Sequence, residues 1–288
     1  MSVGRVLVTG AAGQLAGAIV DGFAGGEAVA LTRSQLDITD AAAVRRTIAD
    51  IAPRVIVNCA AFNDVDAAED RPLEALAVNA FAVRTLARAA EDAGATLVHY
   101  STDFVFDGTA SEPYTEEAPT SPRSVYASSK LLGEWFALEA PRAFVLRVET
   151  LFGSRARPGR PGTVDKLLEG LQQGRELPVF VDRTVTPGYV VDIAAATRHL
   201  LETNAAPGVY HCVNAGPVTF EALARDVAQA LGVTPVLRPV RMADVPLKAA
   251  RPRYCALSPA KLAAAGFVMP DWRDALRRWL SDRSAATA

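Results

Sequence analysis

Cysteine is scarce in this 288-residue chain, with only three copies. Cys59, Cys212 and Cys255 lie far apart and form no CxxC pair, so a disulfide framework is not expected. Free thiols of this kind are typical of proteins in a reducing compartment. The first residues also lack the charged start, apolar stretch and cleavage site of a secretory leader. We therefore expect a cytoplasmic protein.

Long hydrophobic runs and an excess of one charge are also missing. No apolar run approaches the length that spans a bilayer, so no membrane partner is predicted. The 30 basic and 32 acidic residues nearly cancel, leaving a net charge of −2. This balance argues against a nucleic-acid partner. The three histidines, His99, His199 and His211, follow none of the usual ligand spacings, and no metal site is predicted.

The sequence does contain a regular alternation of short apolar runs and longer helical patterns. Continuous apolar runs are typical of strands buried on both faces, and their alternation with helices indicates a parallel sheet. The predicted strands cover 5–10, 29–32, 54–60, 96–102 and 143–148. The predicted helices between them cover 14–24, 41–50, 72–93 and 123–139. The predicted fold class is α/β, a Rossmann-type doubly wound parallel sheet with a smaller C-terminal substrate-binding lobe.

The composition and the spacing of apolar residues change after residue 153. The stretch "GSRARPGRPG" (153–162) is rich in Gly, Pro and Arg and is predicted to be a loop. Further helices are predicted near 163–173, 189–202, 219–232 and 271–280, with strand-like pieces at 178–181 and 208–216. We expect a dinucleotide-binding domain over 1–153, to which segments about 186–213 return. The smaller lobe would then comprise 154–185 and 214–288.

The segment "VTGAAGQLAGAI" (8–19) joins the first predicted strand to the first helix. Gly10 permits a tight turn, and Gly13 lets backbone N–H groups at the helix start approach a pyrophosphate. Ala16 is small enough for close packing of helix on strand. A glycine pattern in this strand–turn–helix setting predicts a dinucleotide site.

The end of the second predicted strand bears on the choice of nucleotide. An acidic residue there would bind the adenosine ribose and favour NAD, but the sequence has Arg33 instead. An arginine accommodates a 2′-phosphate. The expected cofactor is therefore NADPH, with NADH left open.

The stretch "SVYASSKLLGE" (124–134) places Tyr126 and Lys130 four residues apart, on one face of a predicted helix. A tyrosine with its ordinary pKa near 10 exchanges protons slowly at neutral pH. A lysine ammonium one turn away stabilises the phenolate and is expected to lower that pKa. We expect Glu134 to be the ion-pair partner of Lys130 on the helix surface. The helix's apolar side, Leu131, Leu132, Trp135, Phe136 and Leu138, is expected to pack on the sheet.

Together these segments resemble the dTDP-4-dehydrorhamnose reductase family of the extended short-chain dehydrogenase/reductase superfamily. The matching stretches are "TGAAGQL" (9–15), "LDITD" (36–40), "VIVNCAAFNDVDAAE" (55–69), "AVNAFAVRTLARAAEDAGATLVHYSTDFVFDG" (77–108) and the Tyr126-x-x-x-Lys130 pair. The resemblance implies an NADPH-dependent oxidoreductase that reduces the 4-keto group of a nucleotide-linked 4-keto-6-deoxy sugar. It leaves a homodimer open.

The resemblance also assigns roles to individual positions. It implies that Thr102, Tyr126 and Lys130 are the catalytic residues, with Thr102 polarising the carbonyl group of the substrate. The implied cofactor-binding residues are Gly10, Gly13, Gln14, Leu15, Asp37, Ile38, Ala60, Ala61, Asn79, Tyr126 and Lys130, to which the end of the second strand adds Arg33. The implied substrate-binding residues are Thr102, Asp103, Phe104, Thr150 and Arg251.

The chain departs from the family pattern in the segments that recognise the sugar and nucleotide. The departures are Thr150, Arg183, Val185, Tyr254 and Cys255. The reductase chemistry is therefore better supported than the identity of the sugar. Two alternatives stay open, namely an NADP-binding regulatory subunit and a sugar-nucleotide epimerase. A dehydratase is disfavoured, because Phe104 stands where it would need a second acid.

Overall fold

The structure is a computed structural model. It describes residues 3–23, 28–153 and 162–287, with side chains to residue 283. Most of the loop predicted over 153–162 and the end of the helix predicted over 14–24 lie outside the described residues. Every helix in the described ranges is too short or too polar to cross a bilayer.

The strands and helices alternate through the first half of the chain, as the sequence predicts. The strands are β1 (Val6–Thr9), β2 (Ala28–Leu31), β3 (Val55–Asn58), β4 (Thr96–Thr102), β5 (Ala143–Val148), β6 (Leu151–Phe152), β7 (Leu177–Phe180), β8 (Thr184–Val185), β9 (Gly188–Tyr189), β10 (Gly208–His211), β11 (Val218–Thr219) and β12 (Leu237–Val240). The helices are α1 (Gln14–Gly22), α2 (Ala41–Ile51), α3 (Val65–Asp70), α4 (Pro72–Leu76), α5 (Ala82–Asp92), α6 (Val125–Ala137), α7 (Thr163–Gln172), α8 (Val190–Glu202), α9 (Phe220–Leu231), α10 (Ala260–Ala264) and α11 (Trp272–Thr287).

In the described part of the chain, six strands form one parallel sheet in the order β10-β5-β4-β3-β1-β2. The chain moves from β1 outward to β2 and then returns to the other side of β1 with β3. In open sheets of this kind, ligands bind where the strand order reverses. The predicted fold class, a doubly wound parallel sheet, is confirmed.

Both faces of this sheet are covered by helices. In β1, Val6 and Val8 pack with α1 and α8 in one apolar cluster, while Leu7 faces α2 and α5 in another. This alternation follows from the two-residue period of a strand and explains why the runs are continuously apolar. A third cluster joins α7, α9 and α11 around the buried Trp272.

The helix predicted over 72–93 is three pieces rather than one. A π-helical turn, Ala77–Phe81, separates α4 from α5. Asn79 in this turn is fully buried and bonds the backbone of Phe62 and the Ser129 hydroxyl. Hydrophobic periodicity does not reveal such a turn, and it does not reveal the bonds that Asn79 makes there to segments distant in the chain.

Helix α6 turns a different face to the protein than expected. Tyr126, Lys130 and Glu134 are buried, whereas Trp135 is 61% and Leu138 is 42% exposed. The expectation that the apolar side packs on the sheet is therefore wrong for these two residues. Lys130 and Glu134 are buried because the sheet supplies a partner for each, the Tyr100 carbonyl oxygen on β4 and Arg147 on β5.

Candidate active site

A cleft of about 880 Å³ opens above the carboxyl ends of β1, β3, β4 and β5. One wall is the loop into α1, and the opposite wall comes from α7 and the segment around Arg183. The predicted site residues that line it are Gly13, Gln14, Leu15, Ala60, Ala61, Thr102, Asp103, Phe104, Tyr126, Lys130, Thr150 and Arg251.

The glycine loop has the geometry that a pyrophosphate site needs. Gly10 has a φ of +68°, and a Cβ there would lie 2.7 Å from the Ala60 nitrogen. Gly13 is the N-cap of α1 and gives the helix start no side-chain cap within the described part of the chain. The first N–H groups of α1 are therefore left to an anion at the positive end of the helix.

Gln14 links this loop to the opposite wall. Its Nε2 donates to Asp165 Oδ2 at 3.3 Å, and Asp165 caps the start of α7 by accepting from the Gly162 N–H. The two walls of the cleft therefore meet beside the predicted cofactor loop.

Thr102, Tyr126 and Lys130 converge at the end of β4. Ser124 caps α6 through the Ala127 N–H and so fixes where this helix begins. Lys130 Nζ donates to the Tyr100 carbonyl oxygen at 2.6 Å. Phe104 packs edge-to-face on Tyr126, with ring centroids 5.7 Å apart. The arrangement holds a phenol, an ammonium and a hydroxyl against one small volume.

Burial dominates the ionisation of the predicted catalytic pair. It raises the pKa of Tyr126; the neighbouring Thr102 hydroxyl opposes the rise, and the Asp103 charge adds to it. Burial lowers the pKa of Lys130 to about 8, against the charge of Glu134. The sequence predicts that Lys130 lowers the phenol pKa, but in the described site burial raises this pKa instead.

Glu134 corrects another expectation. It is buried rather than on the helix surface, and it pairs with Arg147 through bonds of 2.9 and 2.7 Å. The guanidinium of Arg147 also lies over the Phe106 ring. A buried carboxylate needs such a partner, and β5 supplies it across the helix–sheet interface.

Two predicted substrate residues occupy the cleft in different ways. Thr150 follows β5 with a φ of +38°, an uncommon backbone conformation for a non-glycine residue. Arg251 binds Asp66 of α3 through both guanidinium Nη atoms, at 3.1 and 2.9 Å. This pair ties the segment around Arg251 to the mouth of the cleft.

Five predicted cofactor residues do not line the cleft itself. Gly10 lies behind it against Ala60, and Ile38 is buried in the core. Arg33 is exposed after β2, with its Nε 3.6 Å from Asp37. Asp37 accepts from the Thr39 N–H and hydroxyl, which lowers its pKa. Asn79 is buried and braces the turn after β3 against α6, through its bonds to Phe62 and Ser129.

Sequence reasoning missed Glu149 as a site residue and treated Arg183 only as a departure. Both line the cleft beside Asp103. The available signal was an acid directly after the apolar strand "AFVLRV", at the edge where ligands bind.

A parallel sheet with a glycine turn at its reversal point, and a tyrosine–lysine helix beside it, defines a Rossmann protein of the extended short-chain dehydrogenase/reductase type. The chain belongs to the family described as RmlD substrate binding domain, whose sequence profile matches residues 4–284. The resemblance stated from the sequence is confirmed.

Relatives and solved structures match nearly the whole chain. A dTDP-4-dehydrorhamnose reductase of Streptomyces griseus is 38% identical, covering 94% of this chain and 91% of its own. One from Mycobacterium tuberculosis is 39% identical, covering 99% and 95%. The crystal structure of dTDP-4-dehydrorhamnose reductase from Bacillus anthracis in complex with NADP is similar with a TM-score of 0.91. It is 30% identical, over 97% of this chain and 99% of that chain.

Proposed function

We propose that the protein is an oxidoreductase that uses NADPH to reduce the 4-keto group of a nucleotide-linked 4-keto-6-deoxy sugar. The observation that carries this proposal is the convergence of Thr102, Tyr126 and Lys130 at the carboxyl end of β4. The names of the relatives, which act on a dTDP-linked sugar, support the same substrate class.

The residues around the glycine loop fit a dinucleotide. The left-handed φ of Gly10 and the uncapped start of α1 leave N–H groups for a pyrophosphate. Lys130 reaches the end of β4, where a ribose hydroxyl would find its ammonium. Arg33, Gln14, Leu15, Ala60 and Ala61 would complete the binding. The cofactor, when bound, supplies the hydride.

The protein's own groups then control the oxygen of the reacting carbonyl. Thr102 donates a hydrogen bond to this oxygen as it gains negative charge. Tyr126 gives it a proton, which converts the alkoxide to an alcohol. Lys130 stabilises the phenolate that remains, and the walls made by Phe104 and Val148 limit access of water.

We propose that the chain divides as its composition suggests. Residues 1–153 and about 186–213 bind the cofactor, while 154–185 and 214–288 form the lobe that selects the sugar. The separate apolar cluster of α7, α9 and α11 supports this division. Asp103, Phe104, Thr150 and Arg251 are the proposed contacts to the sugar nucleotide.

We also propose that two copies associate in the cytoplasm. Phe81 and Trp135 expose 54% and 61% of their surfaces on neighbouring elements, and Arg84 lies over the Phe136 ring beside them. Aromatic residues exposed together are typical of an interface. The free state of all three cysteines supports a reducing location.

The test is a turnover assay with NADPH and dTDP-4-dehydrorhamnose, followed by a panel of other nucleotide-linked keto-deoxy sugars. We expect oxidation of NADPH with at least one of them and none with simple short-chain ketones. A regulatory subunit would bind NADPH and turn over no sugar. Interconversion of sugar epimers without net consumption of NADPH would indicate an epimerase instead.

A further inference from the structure

Four ionisable side chains meet on the floor of the cleft. Asp103 is also a proposed substrate contact, and the roles above leave the other three unexplained. Asp103 follows β4, Glu149 follows β5, Arg183 precedes β8, and Cys255 belongs to the C-terminal half of the chain. One ligand-type atom from each of Asp103, Glu149 and Cys255 lies within 4.8 Å of the others, and all three residues are buried. The inference below rests on the proposed reductase function.

Each of the two acids accepts hydrogen bonds on only one of its carboxyl oxygens. Glu149 Oε2 accepts from the Thr186 N–H and from its hydroxyl, both at 2.7 Å. Asp103 Oδ1 accepts from the Thr102 hydroxyl at 3.0 Å. The second oxygens, Glu149 Oε1 and Asp103 Oδ2, are buried and have no hydrogen-bond partner among the described residues. A single proton held between these acids would give both free oxygens a role.

The charge count of the cluster points the same way. The Arg183 guanidinium lies over the rings of Phe104 and Phe220, at 5.5 and 5.3 Å, and faces both acids. Two carboxylates and one guanidinium carry a net charge of −1, which one proton removes. Burial raises the pKa of both carboxyl groups, and the Asp103 charge raises that of Glu149 further. Arg183 opposes both shifts.

Among the described residues, the other titratable neighbours of the two acids do not supply a competing charge. Tyr126 faces Asp103, and Tyr254 faces Glu149. Burial raises the pKa of each phenol, so both are neutral near pH 7. Cys255 lies against Asp103 and donates to the Pro252 carbonyl oxygen at 3.3 Å, and its raised pKa keeps it a thiol. Thiol and carboxyl groups could ligate a metal ion, but the Arg183 cation beside them favours a proton over a divalent ion.

We propose that Asp103 and Glu149 share one proton, which rests on Glu149 Oε1 and moves to Asp103 Oδ2 as the substrate oxygen becomes an alkoxide. The Thr102 hydroxyl turns from Asp103 to the substrate oxygen, and this leaves Asp103 without its donor. The O–H bond at Glu149 then breaks as the O–H bond at Asp103 forms. The negative charge moves from Asp103 to Glu149, where the two donors of Thr186 stabilise it. Glu149 is thus a positioning residue that withdraws negative charge from the reacting oxygen.

The shared proton can be observed without any turnover. Infrared spectra of the intact protein at pH 7 are expected to contain the C=O stretch of a buried protonated carboxyl. The band is expected to disappear in Glu149→Gln. It should also disappear in Asp103→Asn, where Glu149 is left to pair with Arg183 as a carboxylate. The control is Glu116→Gln, because Glu116 is another partly buried acid that accepts a backbone N–H, from His211, outside the cleft.

The kinetic test separates the proposed role from a structural one. Glu149→Gln cannot release a proton to Asp103, so kcat should fall on the order of tenfold, the effect of a unit charge kept a few ångströms closer to the alkoxide. KM and NADPH affinity should stay within about twofold. In a protein that already carries Asp103→Asn, adding Glu149→Gln should not lower kcat further. Position 103 then holds no negative charge that has to be withdrawn.

Three results would overturn the proposal. One is a parent spectrum without the carboxyl band, and another is a band that survives in Glu149→Gln. The third is an equal loss of kcat from Glu149→Gln in both backgrounds, as a purely structural role predicts. A parent that turns over no sugar nucleotide overturns the reductase function instead, and the infrared band then decides alone whether the proton is shared.

Discussion

At the scale of single residues, the site depends on what burial does to two ionisable side chains. Tyr126 is held neutral, and Lys130 is an ammonium with a pKa of about 8 inside the protein. A neutral phenol is the form that can donate a proton, whereas a buried ammonium costs free energy unless it acts on a bound partner. The two residues are therefore expected to respond differently to substitution.

Tyr126→Phe removes one hydroxyl and little volume. We expect turnover to fall by about 10²–10⁴, the range for loss of a general acid. The affinity for NADPH, measured by fluorescence titration, should change little. Ser128→Ala is the control, because Ser128 is exposed on the same helix. If the Phe variant turns over the sugar nucleotide at the parent's rate, Tyr126 is not the proton donor.

Lys130→Met is expected to lose turnover and yet to stabilise the fold at pH 7. Burial depresses the lysine pKa, so the folded state pays for the ammonium, and removing it should raise the free energy of unfolding by about 1–3 kcal/mol. This gain should shrink as the pH rises from about 8 towards the unfolded pKa of about 10.4, since the parent then loses the charge. Urea unfolding at several pH values measures it. A Met variant less stable than the parent at pH 7 would contradict the argument.

At the scale of elements, the position of α6 depends on one close approach. A Cβ at Gly133 would lie 2.1 Å from the Asn79 carbonyl oxygen in the π-helical turn. The same helix carries Tyr126 and Lys130, so its distance from this turn also sets how far they reach into the cleft. Glycine is required here for space, since the backbone at Gly133 is helical.

Gly133→Ala is therefore expected to destabilise the protein by roughly 1–3 kcal/mol through overpacking, and to lower turnover by displacing α6. Thermal unfolding and kcat measure the two effects. Gly22→Ala is the matched control, since its Cβ would meet Ala194 Cβ at an ordinary 3.5 Å. That variant should be neutral or slightly more stable, because alanine favours a helix. If Gly133→Ala and Gly22→Ala have the same stability and the same kcat, the close approach of Gly133 to Asn79 does not set the position of α6.

At the scale of the whole molecule, cofactor binding should couple to stability. A ligand that binds only the folded state stabilises it by about 2.7 kcal/mol at a hundred times its Kd. Gln14 and Asp165 join the cofactor loop to α7, so this stabilisation should reach both walls of the cleft. Amide exchange should slow in α7 as well as in α1 when NADPH is added.

The preference between cofactors tests Arg33. It is exposed and follows β2 where an acid would favour NAD, so we expect NADPH to bind more tightly than NADH. Arg33→Ala should reduce the difference in binding free energy between NADPH and NADH by roughly 1–2 kcal/mol, as expected for a charged contact at an exposed position. Arg46 is another exposed arginine, and the control variant Arg46→Ala should leave this difference in binding free energy unchanged. If the parent protein binds NADPH and NADH with equal affinity, Arg33 does not select the cofactor.

Local patterns in the sequence determined the fold of this protein. Buried strands read as apolar runs, Gly10 and Gly13 mark a turn that few other residues permit, and Tyr126 and Lys130 share a helix face because of their spacing. Each of these signals lies within one element and its neighbours. They were enough to predict the doubly wound sheet and the family.

Only the tertiary structure decided which charges meet. Glu134 pairs with Arg147 on β5, and Glu149 bonds Thr186, which is 37 residues away in the chain. Arg183 reaches Asp103 and Glu149 because β8 returns to the cleft from the far half of the chain. The periodicity of a sequence reports which face of an element is buried. It does not report which partners a buried charge will find, because those arrive from distant segments when the core closes.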